Sequence, residues 1–400
     1  MSHGEDRGDA DGTADLGLLS PVSAGTVAER LSSDRALAAA MVGMEAALLR
    51  ALISTGVAPP DAAAAADTVA AYDPDVRTLA LEAVEGGNPA IPLVRLLKAA
   101  VPDELASWVH HGTTSQDVVD TALALVCGAV AEQVEADLLR LAALLAGLAD
   151  EHRHLPVVAR TLTQQALPTT FGMRAAGWLA GVHDAVRLVR ACTPMPVSLG
   201  GPVGTLAAYG ARGPAVVDAL AAELGLATPV APWHTRRTPV TGLAHALATA
   251  TGACAKIAAD VLVMGQQEVG ELREGSGGTS SSMGHKANPT RSVLVLAASR
   301  QVPALTSILL ASAASEQERP AGAWHAEWQS LRTLLRLAGG TAQRTADLVA
   351  GLVLDPDAMR RNVEHLRAAV DADGSWVEEH VEAGEVWIDR VLAEHRDVCG

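Results

Sequence analysis

Apolar residues recur along most of this chain at intervals of three and four, the spacing that places them on one face of an α-helix. Leu37, Met41, Met44, Leu48 and Leu52 form the first such stripe, with Asp34 as a candidate N-cap and Gly56 as a candidate stop. Over 57–110 the pattern is cut by Pro59, Pro60, Pro74, Pro89, Pro92 and Pro102, which predicts short helices and turns. A longer stripe follows. Val119, Leu123, Val126, Val130, Val134, Leu138, Leu141, Leu145 and Leu148 keep helical steps without a proline, predicting a helix of about 30 residues, roughly 45 Å long. Similar patterns run from Pro239 to the glycines at 275–278, and from Thr290 onward, where Pro303 is expected to kink the helix. After about residue 340 the chain becomes more charged and predicts short helices, among them one over 381–395.

This pattern predicts an all-α chain built on a central bundle of long helices. It divides into a disordered acidic tail (1–15), an N-terminal helical domain (16–115), the long-helix bundle (116–340) and a shortened C-terminal helical domain (341–400). Helices that are apolar on more than one face need partners beyond one chain, so association through them is expected; an unusually wide monomeric core is the alternative. The apolar stretch over 292–315 holds Arg300 and Pro303 and reads as a buried helix in preference to a membrane span.

Composition sharpens this. With 49% apolar residues but one Phe and two Tyr, the core must be made of Ala, Leu and Val, which favours closely packed helices over sheets. A net charge of −16 argues against nucleic-acid and anionic-membrane partners, which require a basic surface. The acidic N-terminal stretch lacks the apolar core of a signal peptide, so a cytoplasmic location is expected. Cys127, Cys192, Cys254 and Cys399 lack C-x-x-C spacing, so they read as reduced thiols, three of them buried, with no metal site implied.

Three polar segments stand apart from the apolar pattern. His110-His111-Gly112-Thr113-Thr114-Ser115-Gln116-Asp117 directly precedes the longest stripe. Its hydroxyls and amide can join the free N–H groups of a helix N-terminus in holding a carboxylate, although capping alone is the simpler account of Thr114, Ser115 and Asp117. The second segment runs from Glu274 through Thr279-Ser280-Ser281-Ser282-Met283-Gly284-His285-Lys286-Ala287-Asn288-Pro289. A plain Gly/Ser linker does not account for Met283, His285, Lys286 and Asn288. A loop that closes on a substrate, offers it a hydroxyl and pairs its carboxylate with Lys286 does. The third joins Glu316-Gln317-Glu318-Arg319 to Trp324-His325-Ala326-Glu327-Trp328. Arg319 offers a bidentate carboxylate site, His325 is a candidate acid, base or donor, and the two tryptophans share a helix face suited to packing.

The second segment resembles the G-S-S-x-M-P-x-K-x-N signature of the fumarase/aspartase superfamily, and the first is similar to that family's H-x-G-x-T-S-x-D-V block. HHGTTSQDVVDTA and EQERPAGAWHAEW look most like its cycloisomerase branch. The resemblance spans about residues 31–350. It implies a three-domain helical subunit, a homotetramer assembled through the long helices, and active sites each shared among three subunits. It also implies Ser280 as catalytic base on a flexible loop and Lys286 and Asn288 as carboxylate ligands. His110, Thr114 and Ser115 fall at substrate contacts, and Gln164, Arg319 and His325 belong to the same pocket. The implied substrate is a small polycarboxylate. In the cycloisomerase branch it is 3-carboxy-cis,cis-muconate, converted to a carboxymuconolactone in aromatic-compound catabolism without metal or organic cofactor.

Those residue types suit that chemistry. Charge that builds beside a carboxylate forms a dianionic aci-carboxylate, which fixed cations and N–H donors must stabilise. A serine hydroxyl becomes a useful base only where such groups favour its alkoxide once water is excluded. Two departures from the family pattern matter. Adenylosuccinate lyases carry a catalytic His, and cycloisomerases a Trp, where this chain has Leu162; Gly284 replaces the family's proline, which loosens the loop. A C–N lyase that eliminates fumarate from an N-substituted succinate is the main alternative, because the same loop and carboxylate site serve both reactions, although Leu162 speaks against its best-known forms. An inactive helical scaffold is the other, and the retention of Ser280, Lys286 and Asn288 together speaks against it.

Overall fold

The computed structural model describes residues 17–275, 278–279, 287–373 and 375–399; the tail expected over 1–15, together with Ser280 and Lys286, lies outside the described residues. The fold is all-α, as the periodicity predicts. Five helices, α1 (Val27–Leu31), α2 (Asp34–Ser54), α3 (Ala63–Ala70), α4 (Val76–Gly86) and α5 (Ala90–Ala100), lead into α6 (Ser115–Glu151). A hairpin of β1 (Pro156–Thr161) and β2 (Gln164–Thr170) precedes α7 (Phe171–Arg190), α8 (Gly213–Leu224) and α9 (Thr238–Met264). Then come β3 (Leu272–Glu274), β4 (Gly278–Thr279), β5 (Ala287–Asn288), α10 (Thr290–Ser312), α11 (Ala323–Ala350), β6 (Leu352–Leu354), α12 (Pro356–Ala369), α13 (Ser375–Glu382) and α14 (Glu385–Cys399).

Helix ends follow local chemistry. Ser33, not Asp34, caps α2: its hydroxyl accepts from Ala36 N at 3.1 Å, and Asp34 becomes the first helical residue, where a negative charge favours the helix dipole. The stripe from Val119 to Leu148 underestimates α6, which has 37 residues because polar residues extend it at both ends. The N-terminus of α10 is held by Glu274, whose carboxylate accepts from Arg291 N at 3.2 Å and Ser292 N at 2.9 Å. The helix expected over 381–395 is divided at Gly384 between α13 and α14.

Contacts fix the directions of the long helices. Asp120 meets Trp324 near the start of α6 and α11, and Arg140 meets Asp347 further along both, so these helices run parallel. Arg237, just before α9, also reaches Asp120, while Asp260 near the end of α9 meets Trp178 at the far end, so α9 shares that direction. α7 and α10 return antiparallel: Gly172 lies against Ala149 and Arg153, Arg190 reaches Glu135, and Glu274 caps α10 at the end where α9 finishes. At mid-bundle, α11 approaches the segment before α1 so closely that a Cβ on Gly340 would sit 2.6 Å from the carbonyl oxygen of Val22.

Two cores result. One fills the long bundle with Ala, Val and Leu from α6, α7, α9 and α11; the other joins α2, α3, α5 and α8 to the first turns of α6. α10 departs from expectation. It is buried on one face only: Val295, Ala298, Val302 and Leu309 join the bundle core, whereas Val293, Ile308 and Leu310 are 51%, 41% and 56% exposed. α2, α9 and α10 are long and apolar enough to cross a membrane by length and composition, and all three contribute to the two large cores. Of the free cysteines, Cys127 and Cys254 are buried, whereas Cys192 is only half-buried and Cys399 is exposed, so two thiols and not three are enclosed.

Candidate active site at the two ends of the long bundle

The first motif builds the N-terminal end of α6. Thr114 is the N-cap residue and its N–H donates to Asp117 Oδ2 at 3.0 Å. Asp117 does more than cap. Its fully buried carboxylate also accepts from Thr113 Oγ1 (3.0 Å), Gly200 N (2.8 Å) and Gly201 N (2.9 Å), and pairs with His234 Nε2 at 2.6 Å. With these donors a carboxylate is saturated, so Asp117 ties the 110–114 and 198–204 loops to the helix and is not free for a ligand. Tyr209 reinforces the joint by donating to His111 O at 2.7 Å.

One turn further on, Asp120, Arg237 and Glu327 form a buried charge network. Arg237 donates to Asp120 at 2.7 and 3.1 Å and to Glu327 Oε1 at 3.0 Å, and Trp324 Nε1 donates to Asp120 Oδ1 at 2.9 Å. Each ion is at most 2% exposed. The flanking carboxylates hold the Arg237 guanidinium well above its ordinary pKa against the opposing effect of burial. Burial pushes Glu327 up, partly offset by Arg237. Gln116 links this network to Arg319. Its Nε2 donates to Asp120 Oδ2 (3.2 Å) and His234 O (2.9 Å), which orients Oε1 to accept from Arg319 Nε at 3.2 Å. A second guanidinium nitrogen of Arg319 donates to Pro202 O at 3.3 Å.

His110 and His325 belong to the same end. His110 has φ +61° and directs both its backbone N–H (3.1 Å) and its Nδ1 (2.6 Å) at the buried Glu45 carboxylate. His325 packs between Trp324 and Trp328, with ring centroids 5.0 and 4.7 Å away, close to Gly87 in the α4–α5 turn. Ser115 opens α6 and is half-buried.

The remaining candidates lie at the other end. Gln164 begins β2 beside a two-residue turn, Leu162-Thr163, whose φ values of +48° and +69° are strained for an aliphatic and a β-branched residue. Such strain concentrates at functional positions. Leu162 is 96% exposed, and the only side-chain hydrogen bond of Gln164 among the described residues is to Thr163 Oγ1 at 3.2 Å. The hairpin is anchored beneath its tip, where Arg160 grips the buried Glu271 at 3.0 and 2.8 Å and Asn362 donates to the same carboxylate. Asn288, in β5, pairs with Gly278 across the neck of the signature loop, next to the Glu274 cap of α10.

The structure thus separates the candidates into two groups. His110, Thr114, Ser115, Arg319 and His325 cluster where α6 begins; Gln164 and Asn288 lie where it ends, about 55 Å away for 37 residues at ~1.5 Å each. Motif reasoning passed over Glu45, His234, Arg237 and Glu271. Glu45 had a legible signal, for it interrupts the apolar stripe of Met41, Leu48 and Leu52 on the core face of its helix.

Comparison with known proteins agrees with this architecture. Residues 20–304 match the lyase family. The chain is 45% identical over 366 residues to a nitrosuccinate lyase of Streptomyces davaonensis, covering 88% of this chain and 77% of that protein. It is 40% identical over 365 residues to a 3-carboxy-cis,cis-muconate cycloisomerase of Bradyrhizobium diazoefficiens, covering 89% and 81%. The crystal structure of 3-carboxy-cis,cis-muconate lactonizing enzyme from Pseudomonas putida superposes with a TM-score of 0.86 at 30% identity, over 96% of this chain and 100% of that one. Helical architecture, motifs and sequence identity together make this chain an enzyme of the fumarase/aspartase superfamily of lyases.

Proposed function

We propose that the chain catalyses addition or elimination at the carbon–carbon bond beside a carboxylate of a small polycarboxylate, and that the group which adds or leaves is a weakly basic anion. Leu162 carries this reading. At the strained hairpin tip, where related lyases hold a histidine, an aliphatic side chain has no proton to give to a strongly basic leaving group such as an amine. A carboxylate, with an ordinary pKa of about 4, needs none. This favours lactonisation of 3-carboxy-cis,cis-muconate. The substrate's own carboxylate oxygen bonds to a diene carbon, the displaced π pair becomes an aci-carboxylate, and Ser280 delivers a proton to carbon. Lys286, Asn288 and the donors at the start of α6 stabilise the dianion. No metal or organic cofactor is required. The 40% identity to a cycloisomerase and the shared fold of the lactonizing enzyme support this choice.

A second reading rests on the same residue and on the 45% identity to a nitrosuccinate lyase. Ser280 would remove the proton beside the carboxylate of nitrosuccinate, and the C–N electron pair would leave with nitrite, also a weak base, giving fumarate. Both readings need His110, Thr114, Ser115, Arg319 and His325 in one pocket with Gln164, Ser280, Lys286 and Asn288. Among the described residues, one chain holds the first group apart from Gln164 and Asn288, so we assign each site to several subunits of a homotetramer in which neighbouring bundles run antiparallel. The exposed apolar face of α10 supports that assembly. The cytoplasm is the location assigned to it.

The test is ultraviolet absorbance of the purified chain with 3-carboxy-cis,cis-muconate, nitrosuccinate, adenylosuccinate and argininosuccinate. Loss of the diene signal with the muconate alone supports the first reading, and fumarate formed only from nitrosuccinate supports the second. Turnover of an amino-succinate overturns both, because Leu162 cannot protonate an amine.

A further inference from the structure

Glu45 is the group the chemistry above leaves unused. It lies on the core face of α2, its side chain fully buried among Met41, Met44, Leu48 and Leu49, where an ionisable residue weakens the core unless it is paired. The only groups that meet its carboxylate among the described residues belong to His110, 65 positions away, through the backbone N–H to Oε2 and Nδ1 to Oε1. His110 itself adopts a left-handed backbone at φ +61°, a conformation that a non-glycine residue holds only when its surroundings impose it. Its ring is 18% exposed, so it stands at the boundary between core and solvent. Among the described residues no hydrogen bond engages its Nε2.

We propose that Glu45 is a positioning residue for substrate binding: by holding both the backbone and Nδ1 of His110, it presents Nε2 of that ring to a carboxylate of the substrate at the start of α6. This rests on the reading of His110 as a substrate contact. The carboxylate accepts from Nδ1–H, which fixes the face and the atom that the ring offers outward; in its imidazolium form the ring then donates Nε2–H to the substrate carboxylate while Glu45 balances its charge. A glutamine is nearly the same shape but brings an NH2 where His110 has two donors to satisfy. One donor then faces a donor, and the ring is released or loses the negative partner that balances an imidazolium. Glu45 is thus chemically irreplaceable although no substrate reaches it.

The experiment is a double-mutant cycle read by calorimetric binding of tricarballylate, an unreactive tricarboxylate, to the full-length protein. His110→Ala and Glu45→Gln should each weaken binding about 10-fold, and the double variant should bind no more weakly than His110→Ala alone, because Glu45 acts only through the ring. Should Glu45→Gln fail to fold, Glu45→Asp draws the carboxylate back by one methylene. It should weaken binding at least threefold in the parent and leave it unchanged in the His110→Ala background. Additive losses, or unchanged binding in the Glu45 variants while His110→Ala binds weakly, overturn the proposal and leave the functional reading standing. Failure of the unmodified protein to bind tricarballylate defeats the functional reading itself, and with it the role given to His110.

Discussion

Asp117 and His234, 117 positions apart in sequence, stand 2.6 Å from each other, carboxylate oxygen to Nε2, in a pocket where neither is more than 5% exposed. The same carboxylate takes the N–H groups of Gly200 and Gly201, so one side chain fastens three loops to the first turn of α6. Asp117→Asn removes the charge and sets an NH2 against these donors. Unfolding should then be easier by about 3 kcal/mol, the range for breaking a buried, hydrogen-bonded pair. Denaturant unfolding monitored by circular dichroism measures this; a change under ~1 kcal/mol would mean the loops are held by other contacts.

Gln116 is expected to act on affinity. Its amide is fully oriented by Asp120 and His234 O, leaving Oε1 for Arg319. Gln116→Met keeps the volume and removes that acceptor, so Arg319 loses its fixed direction. KM should rise about tenfold with kcat changed less than threefold, as when one charge-assisted hydrogen bond of about 1.4 kcal/mol serves binding alone. A fall in kcat at unchanged KM would place Arg319 in the chemical step instead.

Ser280→Ala should abolish turnover while leaving thermal stability and assembly unchanged. Light scattering and steady-state kinetics on the same sample test both halves. A variant with near-normal rate removes Ser280 from the mechanism.

The docking of α14 on α7 should weaken in mild acid. His183 is fully buried, its Nε2 lies 3.1 Å from His395 Nδ1, and burial holds both rings below their ordinary 6.5. The packed state therefore resists protonation that the released helix accepts. Docking strength is full above pH 6.5 and falls as pH drops below it. Glu394 acts in a lower window: the Arg187 guanidinium, then His183, hold it below 4.5, so its contribution persists until pH falls beneath that value. Amide exchange in α14, corrected for the intrinsic rate, should be faster at pH 5.5 than at pH 7.5. His183→Phe should flatten that difference.

How much of this was legible beforehand depends on where each signal lies. The long helices are written in local periodicity, and α6 needed only Val119 to Leu148 to be found. Thr114 and Asp117 read as caps because capping is a contact three residues long. The β1–β2 hairpin has no comparable mark. Its two-residue turn uses Leu162 and Thr163 in place of the Asn-Gly that such turns favour, and Pro168 interrupts the second strand. The pairing of Arg237 with Glu327 was equally out of reach, for partners 90 positions apart leave no trace in spacing. α10 was legible on one face only: apolar composition reports that a surface is destined to be covered, not whether the cover comes from the same chain, and here only the face of Val295, Ala298, Val302 and Leu309 is covered.

The two-ended distribution of the candidate residues along α6 has a genetic consequence. If a working pocket draws its His110 end and its Ser280 end from different chains, two alleles that are each dead alone can rescue one another. In an equal mixture of His110→Ala and Ser280→Ala subunits, roughly a quarter of pockets would receive both intact ends by random assembly. Co-expression would then restore activity that neither parent possesses, whereas a pocket built within one chain would stay silent in every combination.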